Sequence, residues 1–118
     1  RDAPERQVDT IAKKVNLLIS PVRKGRVDMR WLLKRLGREE IANLLVEGGG
    51  EVNASFLQGG LAHRVAFFYA PKILGGSEAR RAVGGAGARS LCEALELENV
   101  EWSRIGADLL LTARIAGA

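Results

Sequence analysis

Residues 43–57 read NLLVEGGGEVNASFL and predict a strand, a glycine turn and a helix in succession. Residues 44–46 form a short apolar run without helical periodicity, which is typical of a buried strand. Val52 and Phe56 lie four positions apart, as on one face of a helix, and Gly59-Gly60 ends that helix. The stretch therefore predicts an α/β fold with its most informative turn at the three glycines.

The glycine turn is suited to binding an anion without a basic side chain. Backbone N–H groups at a helix start have no intrahelical partner, the helix dipole is positive there, and glycines let a ligand approach closely. A phosphate fits such a site. Glu47 is expected at the carboxyl end of the strand, the edge where open α/β sheets bind ligands. The alternative is a structural turn with a solvated glutamate, and the glycines alone do not separate the two.

The spacing excludes two common phosphate-binding loops. A Rossmann dinucleotide fingerprint needs a third glycine where Asn53 stands, and no acidic residue follows at the expected distance. A P-loop needs glycine and lysine followed by serine or threonine, a combination that does not occur in this sequence.

The flanking sequence alternates predicted helices and strands. One helix is predicted from Pro4 to about Lys14, and another between the N-cap Asp28 and the stop Gly37. Strands are predicted at residues 15–19, 44–46 and 64–70. Repeated αβ units with short connections favour a three-layer fold, in which helices cover both faces of a mainly parallel sheet.

The C-terminal third departs from that alternation. Residues 72–89 contain five glycines and three arginines, and a loop of this length is usually functional or mobile. Residues 94–102 and 109–115 predict an antiparallel hairpin at the sheet edge. The expected sheet is therefore mixed, within a single domain that spans residues 1–118.

Composition limits the classes of function. A chain of 118 residues with 47% hydrophobic and 27% charged residues fits one soluble domain. No apolar run approaches ~20 residues, so no membrane partner is expected. Cys92 is the only cysteine, which excludes an internal disulfide and a cysteine zinc cluster. Together with the lack of a secretory signal at the start, this makes a cytoplasmic location the expectation.

The net charge of +4 leaves two kinds of ligand open. A modest positive charge attracts phosphorylated small molecules. It is also compatible with nucleic-acid binding, but the basic residues are scattered and no aromatic residues interleave with them. No nucleic-acid partner is therefore expected, and a phosphorylated substrate is favoured.

Two motifs resemble a known family. Residues 44–57 and the later APKILGG, residues 70–76, closely resemble the reductase domain of riboflavin biosynthesis. That domain usually forms the carboxyl-terminal half of a bifunctional deaminase/reductase and is similar in fold to dihydrofolate reductase. The resemblance is specific over residues 43–76 and weaker from about Asp2 to Ala113.

The same resemblance implies that parts of the complete enzyme are not in this sequence. The zinc-deaminase signature, His-x-Glu with Pro-Cys-x-x-Cys, is missing. The amino-terminal part of the dihydrofolate-reductase-like domain is also expected to be missing. Absent strands would leave an uncovered sheet edge, which favours association, so a homodimer is the expected assembly.

The family's chemistry implies roles for particular residues. The enzymes that this chain resembles reduce 5-amino-6-(5-phosphoribosylamino)uracil to its ribitylamino product with NADPH. Glu47 matches their substrate-binding carboxylate. No metal ligand is implied, and no catalytic residue can be assigned. The implied NADPH contacts are Gly49, Gly50, Glu51, Val52, Asn53, Ala54 and Ser55.

Other functions stay open on the sequence alone. One is a different reductase of dihydrofolate-reductase-like fold, acting on another pterin-like or pyrimidine substrate. Another is a non-catalytic dimerisation domain of the same fold. His63, the only histidine, is expected at the surface between a helix and a strand rather than in catalysis.

Overall fold

The computed structural model describes residues 5–23 and 25–117. The chain separates into two compact units, Arg1–Leu44 and Leu45–Ala118. Within the described residues, no helix is both long enough and apolar enough to cross a membrane.

The first unit contains two helices and a small hairpin. Helix α1 spans Glu5–Ala12 and helix α2 spans Met29–Arg38. Between them, strands β1 (Val22–Arg23) and β2 (Arg26–Val27) pair antiparallel. Both predicted helices are confirmed within the described residues; Pro4, where the first was expected to begin, lies outside them.

Helix α2 begins where the sequence predicts and ends one residue beyond the predicted stop. The Asp28 carboxylate accepts a hydrogen bond from the Trp31 amide at 3.0 Å, which makes Asp28 the N-cap. Gly37 does not end the helix; α2 continues to Arg38, with Glu39 as C-cap. An ion pair of 2.7 Å between Arg35 and Glu39 joins the last turn to that cap.

The second unit consists of one α-helix and a three-stranded sheet. Helix α3 spans Gly50–Gln58, and a single 3₁₀ turn spans Leu91–Glu93. The strands are β3 (Arg64–Tyr69), β4 (Leu97–Ile105) and β5 (Asp108–Ile115). Strand β5 lies in the centre and pairs antiparallel with both neighbours. The predicted C-terminal hairpin is therefore confirmed.

Two backbone features shape that hairpin. Ile105 pairs with Asp108, so the turn has two central residues, and Gly106 takes the first with φ of 63°. Glycine at this position is what a type II′ turn requires. One extra residue lies between Glu98 and Glu101 as a bulge, where Asn99 has φ of 52°.

The buried side chains come from α3 and from one face of β5. Side chains alternate along a strand, and every second residue of β5 from Leu111 onwards points to the same side. Strand β4 is exposed along its whole length. Among the described residues, the buried hydrophobic ones are Ala54, Phe56, Leu111, Ala113 and Ile115.

The prediction of a mainly parallel sheet is wrong, because both sheets of the described chain are antiparallel. The predicted strands at residues 15–19 and 44–46 do not form strands. Side chains in these segments are largely exposed; Ile19 and Leu45 retain 79% and 78% of their accessible surface. Branched apolar composition favours an extended backbone, but a strand also needs a partner for its ladder, which these segments lack in the described residues.

We predict that the packing of β5 differs sharply between its two ends. Leu111 is 8% exposed and Leu109, on the same face, is 47% exposed. Leu111→Ala is expected to lower the free energy of unfolding by about 2–5 kcal/mol, because it leaves a cavity in the core. Leu109→Ala serves as the control and should cost less than about 1 kcal/mol. Urea unfolding followed by circular dichroism measures both, and equal losses would contradict this location of the core.

Candidate functional site

The glycine turn leads into α3 as the sequence predicts. Gly49 is the N-cap, with an extended backbone and no side-chain cap. Its carbonyl accepts hydrogen bonds from the amides of Val52 at 2.9 Å and Asn53 at 3.1 Å. The amides of Gly50 and Glu51 lie ahead of these first intrahelical donors. They stand at the positively polarised end of the helix.

A segment of the later glycine-rich loop lies directly on this helix start. The Gly84 amide donates to the Gly50 carbonyl at 2.9 Å, although the two residues are far apart in sequence. A Cβ atom on Gly50 would lie 2.6 Å from the Arg81 carbonyl oxygen and 3.0 Å from the Gly84 nitrogen. Only glycine at position 50 permits this approach of the two backbones.

Two side chains of α3 hold the same segment, residues 82–85, which we call the strap. The Gly85 amide donates to Glu51 Oε1 at 2.9 Å. Asn53 Nδ2 donates to the Ala82 carbonyl oxygen at 2.9 Å. With the backbone bond to Gly84, three hydrogen bonds therefore join α3 to the strap.

An open cavity of about 500 Å³ lies between the helix start and the loop. This volume is within the range of small-molecule and cofactor sites. The wall combines helix-start amides with two arginines and two glutamates. The lining residues are Gly49, Gly50, Glu51, Ser77, Glu78, Ala79, Arg80, Arg81, Gly84 and Gly85.

The seven predicted cofactor residues fall into two groups. Gly49, Gly50 and Glu51 line the cavity, whereas the following four residues do not. Ala54 is 1% exposed, and its Cβ lies beneath Gly85. The Ser55 hydroxyl donates to the Glu51 carbonyl at 2.8 Å, inside the helix.

The remaining predicted site residues lie beside the cavity or elsewhere. Val52 packs against Gly48, where an added Cβ would be 2.7 Å from the valine side chain. Asn53 faces the strap, as described above. Glu47 is exposed, lies two residues before the N-cap and does not line the cavity. His63 is exposed and contributes its carbonyl, which accepts from the Ile115 amide at 3.0 Å.

The sequence does not predict the second wall of the cavity. It shows residues 77–81 and the strap only as part of a long glycine-rich loop. The signal lay in its composition, since glycines allow close backbone contact and Arg80-Arg81 supplies positive charge. No local motif predicts which part of the chain this loop contacts.

Comparison with known proteins identifies relatives of the chain. A family model described as the RibD C-terminal domain matches residues 1–111. The riboflavin biosynthesis protein RibD of Actinobacillus pleuropneumoniae is 39% identical over 97 residues, which cover 82% of this chain and 26% of that protein. The 2,5-diamino-6-ribosylamino-4(3H)-pyrimidinone 5′-phosphate reductase of Methanothermobacter thermautotrophicus is 36% identical over 115 residues, covering 98% of this chain and 52% of the relative.

A solved structure shares the fold. Acinetobacter baumannii RibD, form 2, is similar with a TM-score of 0.74 and 25% sequence identity, over 96% of this chain and 30% of that chain. The chain therefore spans between about a quarter and a half of the length of these relatives.

We predict that the close contact at Gly50 contributes measurably to stability. Gly50→Ala places a methyl group against backbone atoms that cannot turn aside, so the free energy of unfolding should fall by about 1–3 kcal/mol. Gly37→Ala is the matched control, because Gly37 is also helical and has no atom within 4 Å of an added Cβ. It should be neutral or slightly stabilising. Thermal unfolding of the two variants side by side tests this, and a neutral Gly50→Ala would contradict the contact.

Proposed function

Because the chain belongs to the RibD C-terminal domain family, we propose that it is a carboxyl-terminal portion of an NADPH-dependent reductase of riboflavin biosynthesis. The proposed substrate is 5-amino-6-(5-phosphoribosylamino)uracil, and the proposed product is its ribitylamino counterpart. The relatives support this, since they are named as RibD and as a pyrimidinone phosphate reductase. The proposal places the cofactor in the cavity at the start of α3.

One observation carries the cofactor assignment: the cavity brings a helix start and a pair of arginines together around one space. Helix-start amides favour anions through both their N–H groups and the helix dipole. Arg80 and Arg81 add positive charge on the facing wall. A dinucleotide with a pyrophosphate group fits the helix start and the arginines, but Glu51 and Glu78 line the same cavity and balance the two positive charges. The preference for NADPH over NADH is therefore proposed from the family alone.

The protein's own residues supply binding and orientation. A nicotinamide cofactor supplies the hydride, whereas the enzyme positions the reacting atoms and tunes their surroundings. In this chain, the Gly50 amide at the start of α3 is proposed to bind a phosphate oxygen, and Arg80 and Arg81 to neutralise the phosphate charge. No residue of the described chain is assigned as a general acid.

Glu47 is the proposed substrate contact. Its carboxylate is exposed two residues before the N-cap Gly49, close in sequence to the proposed phosphate site. An ionised carboxylate only accepts hydrogen bonds, so it suits the hydroxyl groups of a ribose or the amino groups of a pyrimidine. With Glu47 at this position, the short segment 47–51 would contact both the cofactor and the substrate.

The identity of the pyrimidine has a specific alternative. The Methanothermobacter relative is named for a 2,5-diamino-pyrimidinone, which differs from the proposed uracil in the ring substituents. The higher identity to a RibD protein, 39% against 36%, is too small a difference to decide between them. Both substrates carry the ribosylamino 5′-phosphate group, so the same reduction of the sugar is proposed in either case.

We also propose that this chain forms a homodimer and that it is cytoplasmic. Strand β4 is an edge of the sheet and is exposed throughout, with Trp102 and Ile105 retaining 58% and 50% of their accessible surface. Exposed apolar edge strands pair readily with a second strand. A second copy of β4 is a fitting partner, because antiparallel pairing of identical strands is compatible with two-fold symmetry.

The proposed activity is tested with the full-length protein. NADPH oxidation at 340 nm should depend on the ribosylamino-uracil phosphate, and a comparison with the 2,5-diamino-pyrimidinone phosphate and with dihydrofolate identifies the preferred substrate. Glu47→Gln is expected to lower kcat/KM at least tenfold, since a charged hydrogen-bond acceptor contributes about 1.5–3 kcal/mol. Glu40→Gln, at an exposed residue outside α3, the strap and β4, is the control with the same charge change. Wild-type turnover in Glu47→Gln would remove Glu47 from the site.

The two arginines are expected to set the preference for NADPH. Arg80→Ala and Arg81→Ala should each weaken NADPH binding roughly tenfold, because a charge-assisted phosphate contact is lost. A larger loss for NADPH than for NADH would assign the arginine to the 2′-phosphate, and equal losses would assign it to the pyrophosphate. Arg38→Ala, on α2, is the control. Cofactor fluorescence titration provides the dissociation constants, and unchanged values for both variants would contradict the proposed location of the cofactor.

A further inference from the structure

We infer that Glu51 and Asn53 are positioning residues that hold the strap on the start of α3, and that their side chains do not contact the cofactor. The inference rests on the proposed function only for the identity of the ligand. It deepens that function by naming the residues that keep the second wall of the cavity in place.

The direction of the Glu51 side chain supports this role. Its Oε1 accepts from the Gly85 amide at 2.9 Å, and it would lie 2.7 Å from a Cβ atom on Gly84. The carboxylate therefore packs directly against the backbone of the strap. The Gly85 amide holds the negative charge of Glu51 against the strap. The carboxylate there has a structural role and does not face a phosphate, which it would repel.

Asn53 makes the second side-chain contact, with the opposite polarity. Its Nδ2 donates to the Ala82 carbonyl oxygen at 2.9 Å. Glu51 thus accepts from one end of the strap and Asn53 donates to the other. The Gly84 amide, bound to the Gly50 carbonyl at 2.9 Å, lies between these two contacts. The strap donates in two of these bonds and accepts in the third. Together the three bonds fix the register of the strap on α3.

The glycines of the strap are adapted to this contact. Gly85 has φ of 71°, a conformation that other residues rarely adopt, and an added Cβ would lie 2.9 Å from Gln58 Nε2 and 3.1 Å from the Ala54 Cβ. This explains why Ala54 is buried although it lies within a predicted cofactor segment. The small residues at positions 54, 84 and 85 let the strap lie flat on α3.

The strap in turn fixes the residues that face the helix start across the cavity. Residues 77–81 enter the strap directly, and the Arg81 carbonyl lies against Gly50. If the strap leaves the helix, Arg80 and Arg81 lose their place in the wall of the cavity. The apparent dissociation constant of a dinucleotide then rises in inverse proportion to the fraction of molecules with the strap in place.

Amide hydrogen exchange in the full-length protein tests the contacts without any ligand. Glu51→Ala should speed exchange of the Gly85 and Gly84 amides at least tenfold, because each loses its acceptor or its fixed position. Exchange in the hairpin of β4 and β5 should stay unchanged, which shows that the fold is retained. Glu40→Ala, at an exposed residue outside α3, the strap and β4, is the control for removing a carboxylate.

Two isosteric variants give opposite expectations and avoid a loss of packing. Glu51→Gln keeps an oxygen that accepts from Gly85, so exchange should stay within about twofold of the wild type. Asn53→Asp removes the donor to Ala82 and places two oxygens together, so exchange of the strap amides should rise at least tenfold. Asn43→Asp is the control for the added charge. Wild-type exchange in both Glu51→Ala and Asn53→Asp would overturn the inference.

Steady-state kinetics with NADPH then test the positioning role. Glu51→Ala and Asn53→Asp should raise KM for NADPH at least tenfold while kcat changes less than twofold, and Glu51→Gln should restore the wild-type KM. Faster strap exchange with an unchanged KM would overturn the positioning role. If the variants change the exchange of the strap amides as expected but the wild-type protein binds no dinucleotide, the proposed function fails and the strap contacts stand.

Discussion

The close contact between two backbones, at Gly50 and at Gly84, is the constraint on which the site depends. Their hydrogen bond of 2.9 Å forms only because neither residue carries a Cβ. A methyl group on Gly50 would lie 2.6 Å from the Arg81 carbonyl oxygen, and one on Gly84 would lie 2.7 Å from Glu51 Oε1. The glycine clusters at residues 48–50 and 84–85 therefore serve one contact. Neither cluster predicts this contact by itself.

This contact is an example of a feature that the sequence does not predict, although the sequence predicts most of the helices and strands. The three helices, strand β3 and the C-terminal hairpin follow from local signals: an N-cap at Asp28, a glycine turn before α3 and alternation in residues 94–115. Sheet pairing does not follow from local signals. The apolar run at residues 15–19 has the composition of a strand, yet β3 pairs in the antiparallel sense with β5, about forty to fifty residues later in the sequence. Composition favours an extended backbone, but the choice of partner is made by tertiary contacts.

The candidate site is also predicted only in part by the sequence. The turn at residues 48–50 identifies one wall, because the chemistry of a helix start is local. The prediction that residues 49–55 contact the cofactor stays a prediction; of these residues, only 49–51 line the cavity. Successive residues of a helix point about 100° apart, so Ala54 is buried beneath the strap while Gly50 faces the cavity. The facing wall, from Ser77 to Gly85, depends on how a long loop folds back, and no short motif specifies that.

The strap also has a consequence for the dynamics of the second unit. Its side-chain hydrogen bonds to α3 are exposed to solvent, and it contributes no buried apolar side chain. Segments held in this way open at a lower free energy than the core, which in this unit lies at Phe56 and along β5. A ligand that bridges the helix start and residues 77–81 would bind only the closed arrangement, and so would stabilise the strap by mass action. Binding and local order at this site are then two measures of one equilibrium, whichever dinucleotide or substrate occupies the cavity.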